Sequence, residues 1–166
     1  NVAFEPGRVT CILGRNGVGK TTLLRNIMGL LRPSSGAVTM DGMDLTRLPA
    51  HQRALAGLAL VPQGRHICSR HTVEENLRIG QEANQRRGRI PVEIDELFPV
   101  LKTMAKRMGG DLSGGQQQQL AVARALISGP KVLLLDEPTE GIQPNIIQQI
   151  GEALKELVLS RNMTII

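Results

Sequence analysis

The chain has 166 residues, 41% of them hydrophobic, which suffices for one domain with a core and hardly for two. Phe4 and Phe98 are its only aromatics, so the core falls to Leu, Ile, Val, Ala and Met, a composition that suits α/β layers. The formal charge of +5 permits an anionic partner, yet the basic residues are scattered apart from a short cluster at Arg86, Arg87 and Arg89, and no stacking aromatics are interleaved with them, which argues against nucleic acid.

In chain order, the apolar run Val9 to Leu13 between Gly7 and Gly14 predicts a buried strand. A glycine-rich stretch follows, and Leu23, Leu24, Ile27, Met28 and Leu31 then fall at helical spacing up to Pro33 and Gly36. Ala37 to Met40 with the turn Asp41-Gly42 predicts a short strand and hairpin, and Leu58 to Val61 a buried strand ending at Pro62-Gln63. From Thr72 to about Ser128 the pattern turns helical. Thr72 with Glu75 makes a capping box, Ile94, Leu97, Val100 and Leu101 share a helical face, and Leu120 to Leu126 lie on a further helix. Lys131 to Leu135 predicts another buried strand, ending in Asp136-Glu137. After a turn over 138–144, Ile146, Ile147, Ile150, Leu154, Leu157 and Val158 repeat as one helical stripe. The chain starts at NVAFEPGRVT without a methionine and stops inside an apolar run, so it reads as a piece of a longer protein. Cys11 and Cys68 lack the number and spacing of a disulfide framework or zinc site, which points to a reducing compartment. His51, His66 and His71 are isolated and read as surface groups. No apolar run reaches the ~18 residues that a membrane span needs, and no signal-peptide pattern opens the chain.

Three stretches carry chemistry. Gly14-Arg15-Asn16-Gly17-Val18-Gly19-Lys20-Thr21 fits G-x-x-x-x-G-K-[ST] with a predicted strand before it and a helix after it. Its glycines let backbone N–H groups converge on a phosphate, the helix dipole adds to them, Lys20 reaches the β- and γ-phosphates, and the Thr21 hydroxyl suits Mg²⁺. Asp136 and Glu137 end a strand where open α/β sheets place ligands: Asp136 is expected to hold Mg²⁺ through water and Glu137 to polarise an attacking water. Alone, that pair reads equally as a solvated helix start; the phosphate loop upstream favours the catalytic reading. Finally, Ser113 with Gln116 forms an S-x-x-Q cap around Gly114 and Gly115, either a plain cap or a second anion site. One chain has no use for two γ-phosphate sites, so this one is expected to serve a nucleotide on another copy.

GRNGVGKTT (14–22), LVPQ (60–63), LSGGQ (112–116) and VLLLDEP (132–138), in this order and spacing, resemble the Walker A, Q-loop, signature and Walker B motifs of ABC ATPases, over the whole chain. The resemblance implies an α/β P-loop core of the RecA-like kind over 1–70 and 129–166, with a helical subdomain inserted over 71–128 and both ends of the full ABC domain missing. It implies ATP and Mg²⁺ as cofactors. Gly14, Arg15, Asn16, Gly17, Gly19, Lys20, Thr21 and Thr22 would bind ATP, and Thr21, Gln63 and Asp136 the metal. Glu137, Lys20 and Gln63 would act catalytically. Ser113, Gly114, Gly115 and Gln116 would contact the nucleotide of a second ABC subunit arranged head to tail.

Longer wording, in TVEENLRIG, GGDLSGGQQQQLAVARAL and LLLDEPTEGIQP, resembles the ATP-binding subunits of bacterial branched-chain amino acid and urea importers, the urea branch most. This implies membrane permease subunits as partners, a periplasmic solute-binding protein acting indirectly, and a place in the cytoplasm, peripheral on the inner face of the plasma membrane. Two departures stand out: Gln143 where many relatives have Asp after Walker B, and Cys68 where relatives of this branch have an aromatic. The resemblance places the adenine-stacking aromatic before residue 1 and the switch histidine after residue 166. Rival readings are a soluble ABC ATPase that works on nucleic acid or ribosomes, and a nucleotide-binding piece without turnover.

Overall fold

A computed structural model describes residues 1–82 and 90–166; the Arg86, Arg87 and Arg89 cluster lies outside them. In chain order the elements are α1 (Lys20–Met28), β1 (Thr39–Met40), β2 (Met43–Asp44), α2 (Ala50–Ala56), β3 (Leu58–Val61), α3 (Val73–Glu82), α4 (Val92–Leu97), α5 (Pro99–Thr103), α6 (Gly114–Ile127), β4 (Val132–Leu135), α7 (Pro144–Arg161) and β5 (Thr164–Ile165). A 3₁₀ turn at Gly109–Asp111 precedes α6. Among the described residues no helix is long and apolar enough to cross a membrane.

The strands β3, β4 and β5 pair in parallel, Leu58 to Val61 opposite Val132 to Leu135, and Val132 and Leu133 opposite Thr164 and Ile165. LALV and VLLL have no polar alternation because both faces of the sheet are covered. Successive side chains point to opposite faces. Ala59, Val61 and Leu133 enter one core with α3, α6 and α7, whereas Leu58 and Leu134 enter a second with Leu24 and Met28 of α1. Burying a leucine such as Leu133 or Leu134 stabilises the fold by about 2–3 kcal/mol. The four helices α3 to α6 all lie in the chain between β3 and β4.

The expected buried strand at Val9 to Leu13 is not found. Val9 makes an isolated parallel bridge to Ile165, Thr10 N–H donates to the Ile165 carbonyl at 2.8 Å, and the ladder stops there because β5 offers only two residues. Val9 is 52% exposed and Leu13 90% exposed. The segment still runs parallel to β5 and delivers Gly14 to the carboxyl edge of the sheet. Two helical expectations also change. The α1 helix ends at Met28, before Leu31, because Gly29 takes φ 80° and a Schellman closure forms, with Leu30 N–H donating to the Arg25 carbonyl at 2.9 Å. The face shared by Ile94, Leu97, Val100 and Leu101 is split between α4 and α5, since Pro99 forces Phe98 out of helical geometry (φ −133°, ψ 67°). The hairpin of β1 and β2 forms as expected, with Asp41 and Gly42 both at positive φ, the I′ signature.

Candidate active site

Three connections emerge at the carboxyl edge of the parallel strands: the loop 14–19, the Pro62-Gln63 segment after β3, and Asp136-Glu137 after β4. The loop enters α1 through Gly17 (φ 83°) and Gly19 (φ 102°), a left-handed path that favours glycine, with open space where a Cβ would stand. No side chain caps α1 and no acidic residue sits in its first turn, so its first N–H groups and dipole are left for an anion. A Cβ on Gly14 would lie 2.8 Å from Val18 Cγ2, so the loop closes tightly only with glycine there.

Lys20 Nζ folds back over the loop and donates to the carbonyls of Gly14 at 2.8 Å and Arg15 at 3.2 Å, with Glu137 Oε1 at 3.8 Å. The Thr21 hydroxyl donates to Asp136 Oδ1 at 2.9 Å, and Asp136 is 5% exposed, its own N–H donating to the Val61 carbonyl. Gln63 Nε2 donates to Glu137 Oε2 at 3.1 Å and to Glu140 Oε2 at 3.0 Å. Lys20, Thr21, Gln63, Asp136 and Glu137 thus converge from three segments. The glycine cradle fits a phosphate, and Thr21 with Asp136 makes a pair of hard oxygens of the type Mg²⁺ prefers. Among the described residues no group of three or more His, Cys, Asp and Glu could hold a metal by itself; the expected set of hydroxyl, amide and one carboxylate is of the kind that phosphate oxygens complete. Arg15, Asn16 and Thr22 are exposed on or beside the loop.

The signature residues are built differently. Ser113 and Gln116 form a reciprocal box, Gln116 N–H donating to Ser113 Oγ at 3.3 Å and Ser113 N–H to Gln116 Oε1 at 3.0 Å. Ser113 is exposed and Gly114, Gly115 and Gln116 are half-buried. Both glycines lie in close approach: a Cβ on Gly115 would meet Ile146 at 3.0 Å, and one on Gly114 the Arg65 guanidinium at 3.1 Å. Ser113 and Gln116 take their bonds within their own turn, not from the phosphate loop. Gln143 stands exposed at the N-cap of α7 without a side-chain cap, and beside the signature it lines a recess with Gln116, Gln119 and Gln149.

Four residues escape sequence reasoning. Glu140 shares Gln63 with Glu137. Arg65, at φ 68°, donates to Gln117 Oε1 at 3.3 Å and ties the Gln63 loop to α6. Fully buried Asn76 accepts from Cys68 N–H and donates to the carbonyls of Cys68, His71 and Thr72. Arg53, 1% exposed, donates to the carbonyls of Asn26, Ile27, Thr46 and Leu48. Burial lowers its pKa, with Asp44 opposing. Cys68 is half-buried; His51, His66 and His71 are exposed, as the sequence reading has those histidines.

Comparison with known proteins places the chain in a family. The ABC transporter model matches residues 1–140. The chain belongs to the ABC transporter family. Members of that family hydrolyse ATP to drive transport, and the chain is an ABC-type ATPase. Cassettes of the family work as dimers with membrane permease subunits and in general bind ATP with Mg²⁺. The chain is 42% identical over 160 residues to the high-affinity branched-chain amino acid transport ATP-binding protein BraG of Pseudomonas aeruginosa, covering 95% of this chain and 68% of that protein. It is 39% identical over 166 residues to the probable branched-chain amino acid transport ATP-binding protein LivF of Archaeoglobus fulgidus, covering 98% and 70%. The methionine import ATP-binding protein MetN of Vibrio cholerae is also 39% identical, with 50% of its length covered. Among solved structures, a dimeric ATP-binding cassette in a post-hydrolysis state bound to ADP and Pi superposes with a TM-score of 0.87 at 27% identity, over 99% of this chain and 75% of that one.

Proposed function

We propose that this chain binds Mg·ATP between the loop 14–22 and the Asp136-Glu137 edge, and hydrolyses it to power import of branched-chain amino acids through a membrane permease. The observation that carries the chemistry is the convergence of Lys20, Thr21, Gln63, Asp136 and Glu137 at one sheet edge. Magnesium, when bound, supplies charge neutralisation of the phosphate oxygens. The loop amides and Lys20 hold the β- and γ-phosphates, Lys20 exchanging its two carbonyl partners for phosphate oxygens. Thr21 and, through water, Asp136 would hold the metal, with Gln63 as a further ligand. Glu137 accepts a hydrogen bond from the water that attacks the γ-phosphate in line.

In this reading the exposed turn Ser113–Gln116 completes the site of a second subunit placed head to tail. Its free N–H groups at the start of α6 suit an anion arriving from outside the chain. The subunit lies on the cytoplasmic face of the membrane against permease subunits, which a periplasmic binding protein supplies with solute. Two relatives named for branched-chain amino acids support this cargo. Methionine and iron importers match as well, and the wording of the motifs favours urea, so the test includes rival solutes. ATPase activity is measured on the subunit alone and reconstituted with its permease and binding protein, with leucine, urea or methionine. Stimulation by leucine alone is expected. Stimulation by another solute replaces the cargo, and turnover indifferent to permease and solute sinks the transport reading.

A further inference from the structure

Gln63 Nε2 carries two N–H donors, and both are spent on carboxylates: Glu137 Oε2 at 3.1 Å and Glu140 Oε2 at 3.0 Å. Two acceptors on one side decide which way an amide faces, because turning it over would set its oxygen against both carboxylates. The atom left over is Gln63 Oε1, a hard oxygen of the kind a magnesium ion takes. Local sequence explains how both carboxylates reach the same amide. Glu137 sits at φ 48°, Pro138 fixes the next backbone angle, and Glu140 N–H closes the turn on the Glu137 carbonyl at 3.2 Å. Residues 137 and 140 therefore stand at the two ends of one tight turn, facing the loop after β3. Glu140 is exposed, so packing does not hold it there.

We propose that Glu140 is a positioning residue of the hydrolytic site, which locks the Gln63 amide with Oε1 toward the magnesium position. The inference rests on the Mg·ATP reading above. Glu137 has a second duty in that reading, accepting from the attacking water, and divides its carboxylate between that water and Gln63. Glu140 has no such duty and remains the acceptor that keeps the amide from turning. It acts only through Gln63.

The test uses the purified subunit with Glu140→Ala, Glu140→Gln, Gln63→Ala and the Gln63→Ala/Glu140→Ala pair. Binding of a fluorescent ATP analogue is followed as Mg²⁺ is titrated, and again in EDTA, beside thermal melting. In Glu140→Ala the half-saturating Mg²⁺ concentration is expected to rise about three- to tenfold, the factor one hydrogen bond at an exposed site supports. Binding in EDTA and the melting temperature stay at wild-type values. Glu140→Gln keeps an acceptor oxygen and recovers part of the loss, and in the Gln63→Ala background removal of Glu140 adds nothing. Wild-type Mg²⁺ dependence in Glu140→Ala overturns the proposal, and so does a full further loss in the Gln63→Ala background, which would place the action of Glu140 elsewhere, such as across a dimer. Failure of the wild-type subunit to bind the analogue at any Mg²⁺ concentration overturns the underlying ATP reading and this inference with it.

Discussion

Lys20 and Glu137 face one another at 3.8 Å while each is held by a neighbour, Lys20 by two loop carbonyls and Glu137 by Gln63. The ammonium's short contacts are to carbonyl oxygens, with the Glu137 carboxylate farther off, so it can pass to a phosphate without breaking a close carboxylate contact. Glu137 is different: its replacement by Gln keeps the shape and an acceptor oxygen for Gln63 but removes the negative charge that, in the proposed reaction, polarises water. Glu137→Gln is expected to lower turnover about 10²- to 10⁴-fold, the usual share of a general base, while nucleotide remains bound. Single-turnover kinetics beside nucleotide retention checks this; turnover within a few-fold of wild type would remove Glu137 from the base role.

At the scale of elements, the machinery depends on how helices are ended. The α1 helix offers bare N–H groups to the phosphate loop, and at its other end Arg53 donates to the Asn26 and Ile27 carbonyls, a buried cation at the negative end of the helix dipole. Arg53→Ala leaves several buried carbonyls unpaired and is expected to destabilise the fold by about 3 kcal/mol, read as a loss of roughly 6–12 °C in melting temperature. A shift under 2 °C would show the carbonyls satisfied without it, on the ~1 kcal/mol scale of a single lost bond. The α3 helix begins with the Thr72–Glu75 box, whose backbone hydrogen bond from Thr72, followed by the hydroxyl, holds the Glu75 carboxyl below its usual range.

The elements differ in how legible they are. Capping boxes, the Asp41-Gly42 hairpin and the two continuous apolar strands are read from a few neighbouring residues, because local chemistry alone determines them. The phosphate loop is legible for the same reason, since its glycines, Lys20 and Thr21 serve one short turn. The strand expected at Val9 to Leu13 fails because an apolar run says nothing about how many residues its neighbour offers for pairing. Pro99 is visible in the sequence, yet the helical stripe across it masks the break at Phe98. Arg53, Arg65, Asn76 and Glu140 leave no local signal: each matters through partners such as Asn26, Gln117, Cys68 and Gln63, which only the fold brings near.

Across the whole molecule, the two turns proposed to bind anions sit on different helices. The loop 14–19 opens α1, while the signature turn opens α6, and their bonding is separate. A head-to-tail pair of copies explains both, since each site then takes its phosphate loop from one subunit and Ser113–Gln116 from the other. The most direct test mixes two variants that are each inactive, Lys20→Ala and Ser113→Arg. In a mixed dimer one site carries both lesions and the other carries none. Steady-state ATP turnover of the mixture is expected to recover to about a quarter of wild type, because about half of the dimers are mixed and each has one intact site of two. A mixture as inactive as its components, although mixed dimers form, would contradict a site shared between two copies.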